Sequence, residues 1–149
     1  HLKVPFVKGL ADIASKQATK NGQIRTLLGR KGRFHLWEPT TFGAGKPLPH
    51  DEAMKEYGGP SGRGIRRAFT YKALNKLIQG SAADQTKKAM LDCYNEGYTP
   101  MLTVHDELCF NIDSPEQTAR IKEIMETGIK LSIPSKIDVD VQNDWGEIE

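Results

Sequence analysis

A chain of 149 residues is one ordinary domain's worth, long enough to bury a core. With 38% hydrophobic and 27% charged residues it has the balance of a soluble globular protein, and no run approaches the ~18 consecutive apolar residues of a membrane span. The net charge of +2 conceals an asymmetry: residues 1–76 hold 15 Lys and Arg against 5 Asp and Glu, residues 77–149 hold 6 against 14. A basic half beside an acidic half fits polyanion binding next to cation binding, or equally two solvated surfaces. No basic-then-apolar export signal opens the chain, so Cys93 and Cys109 read as reduced thiols of a cytoplasmic protein. The four histidines are scattered without zinc-site spacing. His1 is not an initiator methionine, which reads as a chain cut from a longer one or one that begins after processing.

In chain order, residues 4–20 place Phe6/Val7, Leu10/Ala11, Ile13/Ala14 and Ala18 at helical spacing, with Pro5 near the first turn and Asn21-Gly22 as a left-handed stop. Gln23–Leu28 reads as a short strand and Phe34–Trp37 as a second. From Glu38 to Gly64 proline and glycine accumulate, so the segment is expected to be a long surface loop or insertion, with a helical turn or two over Asp51–Tyr57. Residues 66–96 form the strongest helix, its apolar face running through Leu74, Leu77/Ile78, Ala82, Ala89/Met90 and Cys93. Gly80 sits inside it at a cost of roughly 1 kcal/mol relative to alanine, which points to close packing there. Thr99–Val104 and Leu108–Ile112 are β-rich runs joined by His105-Asp106-Glu107, a hairpin. Ser114-Pro115-Glu116-Gln117 opens a further helix with a capping box, running to about Leu131. Ile137–Val141 alternates as a final strand. The order is that of an α+β fold, an antiparallel sheet backed by helices, in one domain over 1–149.

Three constellations carry chemistry. Asp106 and Glu107, adjacent on a tight turn, offer oxygen ligands to a hard cation such as Mg²⁺, although acidic residues are also common in turns for purely local reasons. Tyr71, Asn75 and Gln79 recur at i, i+4 and i+8, so they share a helix face, flanked by Lys72 and Lys76. Asn and Gln amides can donate to the minor-groove acceptors that all base pairs share, which checks duplex shape without reading sequence; a solvated helix face is the plainer alternative. Arg25, Arg30, Lys31 and Arg33, with Arg63, Arg66 and Arg67 further on, offer forked or point charges to phosphate.

Together these segments resemble DNA polymerase family A. Val104-His105-Asp106-Glu107-Leu108 is similar to the family's motif C hairpin, and Asn75-Lys76-Leu77-Ile78-Gln79-Gly80-Ser81-Ala82-Ala83-Asp84 to its N-x-x-x-Q-G-[ST]-A-A-D helix. Gly22–Arg30 is similar to the G-[YF]-x-x-T-x-x-G-R turn, with Gln23 in place of the usual aromatic, and Asn143-Asp144-Trp145 resembles the C-terminal N-W. Four motifs in order are far more specific than any one, and the Glu38–Gly64 insertion is closer to phage members than to bacterial ones. The resemblance implies a palm-type sheet preceded by a long helix, in an incomplete domain. It implies that Asp106 binds the catalytic Mg²⁺ ions with Glu107 contributing less directly. His105 would lie near the primer end, Asn75, Gln79 and Arg30 at the DNA, and Tyr71 where many relatives carry a basic residue.

The implied reaction is two-metal nucleotidyl transfer, with primer-template DNA and a deoxynucleoside triphosphate as partners. Neither the family's D-[YF]-S-x-[IL]-E aspartate motif nor its R-x-x-x-K-x-x-x-[YF]-G triphosphate-gripping helix occurs in the sequence. The chain alone is therefore expected not to polymerise, to need an N-terminal polymerase segment, and to expose apolar surface on which it could self-associate. Two other classes compete: a non-catalytic nucleic-acid-binding or assembly subunit on the same scaffold, and a metal-dependent phosphohydrolase using His105 and Asp106.

Overall fold

The structure is a computed structural model that describes residues 6–60 and 64–144. Pro5, Arg63 and Trp145 lie outside the described residues. The order is α1 (Phe6–Asn21), β1 (Gln23–Arg25), β2 (Lys31–Arg33), β3 (Leu36–Pro39), β4 (Leu48–Pro49), α2 (His50–Tyr57), β5 (Ile65–Arg67), a 3₁₀ turn (Thr70–Lys72), α3 (Ala73–Asn95), β6 (Pro100–Val104), β7 (Glu107–Phe110) and α4 (Pro115–Thr127). The fold is α+β with antiparallel ladders, divided among the described residues into three short open sheets, β1-β2, β4-β3-β5 and β6-β7. Two compact units, His1–Ser81 and Ala82–Glu149, meet in sequence inside α3.

In the first unit, Ala14 and Ala18, four residues apart on α1, pack with Ile24, Phe34 and Ala73, and with the partly buried Leu74 and Leu77. Two alanines on that face let the helix axis approach closely. The larger residues of the expected apolar stripe, Phe6, Val7, Leu10 and Ile13, remain exposed. The helix stops as its sequence indicates: Gly22 takes φ +66°, and its N–H donates to Ala18 O at 2.9 Å. The same glycine makes room for Arg67, whose guanidinium carbon a Cβ there would meet at 2.9 Å.

Within the Glu38–Gly64 stretch the helical expectation is met by α2, residues 40–47 are irregular as a loop would be, and the departure is that short strands flank these pieces. β3 pairs with β4 through Trp37↔Leu48 and with β5 through Glu38↔Arg66, and α2 follows β4 directly. Its organising residue is Trp37, with the Arg67 guanidinium 4.6 Å over its ring and His50 edge-on at 5.0 Å. Arg67 also donates to Thr19 O at 3.1 Å and Phe34 O at 3.0 Å, and Arg66 pairs with Glu38 at 3.0 Å. Residues 66 and 67, expected to open the long helix, therefore belong to a strand. Phe69 at φ +62° and the 3₁₀ turn delay the helix to Ala73. Along α3 the expected apolar face is largely the one used: Leu74 and Leu77 pack on the first core and Ala89 and Cys93 are buried, whereas Ile78 is 59% exposed and Ala82 is exposed, and Ala73 and Asp84 are buried beside them.

In the second unit Cys93, Ile121 and Ile124 form the core, with Tyr98, Phe110, Ile112 and Met125 packed on it. Ser114 caps α4, accepting from Gln117 N at 3.4 Å. The reciprocal bond goes one residue upstream of the usual capping box, from Asp113 N to Gln117 Oε1 at 2.8 Å. The Ser114 hydroxyl holds the Glu116 carboxyl below its ordinary value. Gly128 ends the helix before the expected Leu131. The strand expected over Ile137–Val141 is absent among the described elements, and Val139 and Val141 are exposed. Alternation makes a strand only where a ladder partner exists; here the Ile137 N–H donates instead to Glu126 Oε1 at 3.3 Å, and Lys136 lies 3.3 Å from the other oxygen. Among the described residues no helix is long and apolar enough to cross a membrane.

The Ile137 N–H and then Lys136 hold the Glu126 carboxyl below its ordinary value of 4.5. A carboxyl with a depressed folded-state value stabilises above its unfolded value and loses that contribution as pH falls through the folded one. The stability difference between wild type and Glu126→Gln, measured by urea midpoints, should therefore be constant above about pH 5.5 and shrink progressively below 4.5.

Candidate nucleic-acid interface and carboxylate hairpin

The turn between β1 and β2 is fastened to α3. Thr26 N–H donates to Arg30 O and Gly29 N–H to Thr26 O, each at 2.9 Å, with Gly29 at φ +85°. From this turn the Arg30 guanidinium reaches Gly80 O at 2.6 Å, and the Leu27 N–H donates to Ser81 Oγ at 3.0 Å. Ser81 Oγ in turn donates to Leu77 O at 2.8 Å. Gly80 admits the turn, because a Cβ there would sit 2.7 Å from Thr26 Cγ2. Lys76 adds a second tie, donating to Arg33 O at 3.0 Å with its ammonium 4.9 Å over the Phe34 ring. Two motifs far apart in sequence, the turn ending at Arg30 and the helix around Gly80, are thus one structural feature. Sequence reading assigned Arg30 to DNA and missed Thr26 and Ser81, whose signal was their presence inside those two motifs.

Tyr71, Asn75 and Gln79 are all exposed, Tyr71 in the 3₁₀ turn and the two amides on α3. The Lys72 ammonium lies 5.2 Å over the Phe69 ring and 5.7 Å over that of Tyr71. This cation beside the amide face suits phosphate as well as aromatic contact.

In the second unit, β6 and β7 pair from Pro100↔Phe110 to Val104↔Glu107, so the turn is His105-Asp106 alone and Glu107 is the first residue of β7. His105 takes φ +55°, the positive first position of a tight hairpin turn, where glycine is the usual occupant. Backbone strain of this kind persists only where the surrounding ladder enforces it. His105, Asp106 and Glu107 are exposed. Their carboxylates are hard oxygen donors of the kind Mg²⁺ takes, but two residues make only part of a coordination shell. Among the described residues no group of three or more His, Cys, Asp and Glu side chains is disposed to hold a metal ion. Cys93 and Cys109 are free thiols, and burial pushes that of Cys93 above its ordinary value. Asn143 and Asp144 lie in irregular chain near the end of the described residues.

The family model of DNA polymerase family A matches residues 2–147. A DNA-directed DNA polymerase of Pseudomonas phage M6 is 36% identical over 97% of this chain and 18% of its own length. The thermostable DNA polymerase I of Thermus filiformis is 34% identical over 83% of this chain and 14% of its own. Among solved structures, the polymerase domain of Pol1 from M. smegmatis, in complex with DNA primer-template and dNTP, superimposes with a TM-score of 0.58 at 28% identity, covering 86% of this chain and 20% of that one. The chain thus spans about a fifth of the length of these proteins or less.

Gly80→Ala should gain helix propensity yet lose more to the Thr26 clash, for a net destabilisation of about 1–2 kcal/mol by urea denaturation. His105→Gly releases the positive-φ strain and should leave the unfolding free energy from urea denaturation unchanged or raise it by up to about 1 kcal/mol.

Proposed function

The chain belongs to DNA polymerase family A, and on that premise we propose that it supplies one carboxylate side of a template-directed nucleotidyl-transfer site together with part of the surface that follows the nascent duplex. The observation that supports this most is the hairpin, a tight ladder whose turn carries Asp106 exposed beside Glu107. A short ladder restrains the carboxylates better than a loop would, and positional restraint is what metal-dependent phosphoryl chemistry asks of its ligands. In the reaction the primer 3′-oxygen attacks the α-phosphorus of a deoxynucleoside triphosphate, the bond to the bridging oxygen breaks, and pyrophosphate leaves. Divalent ions held between Asp106, with help from Glu107, and carboxylates outside this chain would lower the pKa of the attacking hydroxyl and neutralise the charge on the phosphate oxygens. His105 would stand at the primer end, and Tyr71, Asn75, Gln79 and Arg30 would face the duplex. Arg30 would do so with its guanidinium already tied to α3, so its contribution is chiefly to hold the turn.

The whole reaction needs parts that these residues do not include. Asp106 and Glu107 are one ligand set, and two metal ions about 4 Å apart require carboxylates from two places. The exposed apolar residues of α1, Phe6, Leu10 and Ile13, fit burial against a further polymerase segment in the complete enzyme.

The chain alone should give no primer extension with Mg²⁺. Mixed with a matching N-terminal polymerase half it should extend a primer, and Asp106→Ala should lower that rate by at least about 10³-fold, the scale of losing a principal charge-stabilising group. Extension by the pure chain would overturn the reading of an incomplete site. Unchanged extension by Asp106→Ala in the mixture would overturn the role of Asp106. Tight duplex binding without extension in either arrangement would favour a non-catalytic binding subunit.

A further inference from the structure

The register of the β1-β2 ladder sorts the basic residues of the first unit in a way their sequence order does not. Gln23 stands opposite Arg33, Ile24 opposite Gly32, and Arg25 opposite Lys31. Strand alternation therefore puts Arg25, Lys31 and Arg33 on one face of the ribbon, while Ile24 and Gly32 turn to the other, where Ile24 is buried and Gly32 lies against the Lys76 stem. All three cations are exposed. Among the described residues none of them has an acidic partner, and the one side-chain bond they make is a long one, 3.4 Å, from Arg25 to Gly29 O. The neighbouring arginines are committed to the protein: Arg30 to Gly80 O, Arg66 to Glu38, and Arg67 to two carbonyls and the Trp37 ring.

Arg25 and Lys31 are directly opposed like charges, an arrangement that destabilises a ladder unless an anion lies across it. The two-stranded ribbon is short and has a single hydrophobic anchor on its inner face, so nothing in its own packing requires cations outside. We propose that the outer face of the β1-β2 ribbon is a phosphodiester-binding surface on which Arg25, Lys31 and Arg33 contact successive backbone phosphates of a nucleic-acid strand. The inference takes from the polymerase reading only the identity of the polyanion. Arg33 and Lys31 are two residues apart on one strand, a rise of about 6.6–6.8 Å, which is close to the spacing of phosphates along an extended strand. Contacts of this kind carry no sequence information and serve to hold position.

The test measures binding of the whole chain to fluorescent DNA at several salt concentrations, with a blunt duplex and with a primer-template bearing a long single-stranded 5′ overhang. Removing two phosphate contacts with Arg25→Gln and Lys31→Gln together should reduce the slope of log K against log salt by about 1.8 if the ribbon holds duplex, or about 1.4 if it holds the single strand. In the second case the loss appears with the overhang substrate and not with the blunt one. Lys31→Arg should retain the slope. Lys31→Glu places an acid opposite Arg25 and should raise the thermal midpoint while weakening DNA binding, opposite signs that a purely structural role cannot produce. An unchanged slope in the double variant, with wild-type binding intact, overturns the ribbon and leaves the polymerase reading standing. Absence of wild-type binding to either substrate overturns the ribbon, while the polymerase reading stands or falls on primer extension in the mixture with the N-terminal half. A reduced slope with Asn75→Ala and Gln79→Ala unaltered in affinity supports the ribbon and removes the amide face from the duplex contacts.

Discussion

The close approach of the β1-β2 turn to α3 is the constraint on which the first unit rests. It depends on Gly80, because any Cβ at that position would occupy the space of the Thr26 methyl. Once the turn is admitted, polar groups that would otherwise face solvent find partners: Leu27 N–H on Ser81 Oγ, and the Arg30 guanidinium on Gly80 O. The cost of a glycine inside a helix is offset by a tertiary contact that no other residue permits. The core of Ala14, Ala18, Ile24, Phe34 and Ala73 then closes beneath ties made by Lys76 and Arg67 to main-chain carbonyls.

The basic residues of this unit fall into two chemical groups. Some act as internal cross-links, their guanidinium or ammonium groups donating to carbonyls or lying over Trp37 and Phe34. Others sit on an exposed ladder face or over exposed rings, where the protein gives them no counter-charge among the described residues. A count of Lys and Arg cannot separate the two groups. The distinction matters because only the second group is available to a polyanion, while loss of the first would be felt as lost stability. The second unit divides its acids the same way: Glu126 ties an irregular segment to α4, whereas Asp106 on the hairpin turn and Glu107 at the start of β7 are exposed.

That turn joins a local backbone strain to an exposed carboxylate. His105 occupies a left-handed conformation that the sequence could have given to glycine, and the ladder on either side holds it there. Asp106 follows immediately, with its direction limited by a two-residue connection instead of a flexible loop.

Much of this was legible in the sequence because it was local. The α1 stop at Gly22, the Ser114 cap, the hairpin around His105-Asp106 and the exposure of Tyr71, Asn75 and Gln79 each depend on residues within one or two turns of each other. The motifs also determined the family, since their order along the chain survives any uncertainty about packing. Tertiary structure decided what depends on partners distant in sequence. It added short strands at the borders of the expected loop around α2, because Trp37 and Glu38 pair with residues some 11 to 30 positions away. It took Arg66 and Arg67 out of the long helix by giving them ladder and ring partners, and it withheld a ladder from Ile137–Val141, whose alternation alone cannot make a strand. It also set Arg25 against Lys31, since register is a property of two strands together and neither strand's residues specify it alone.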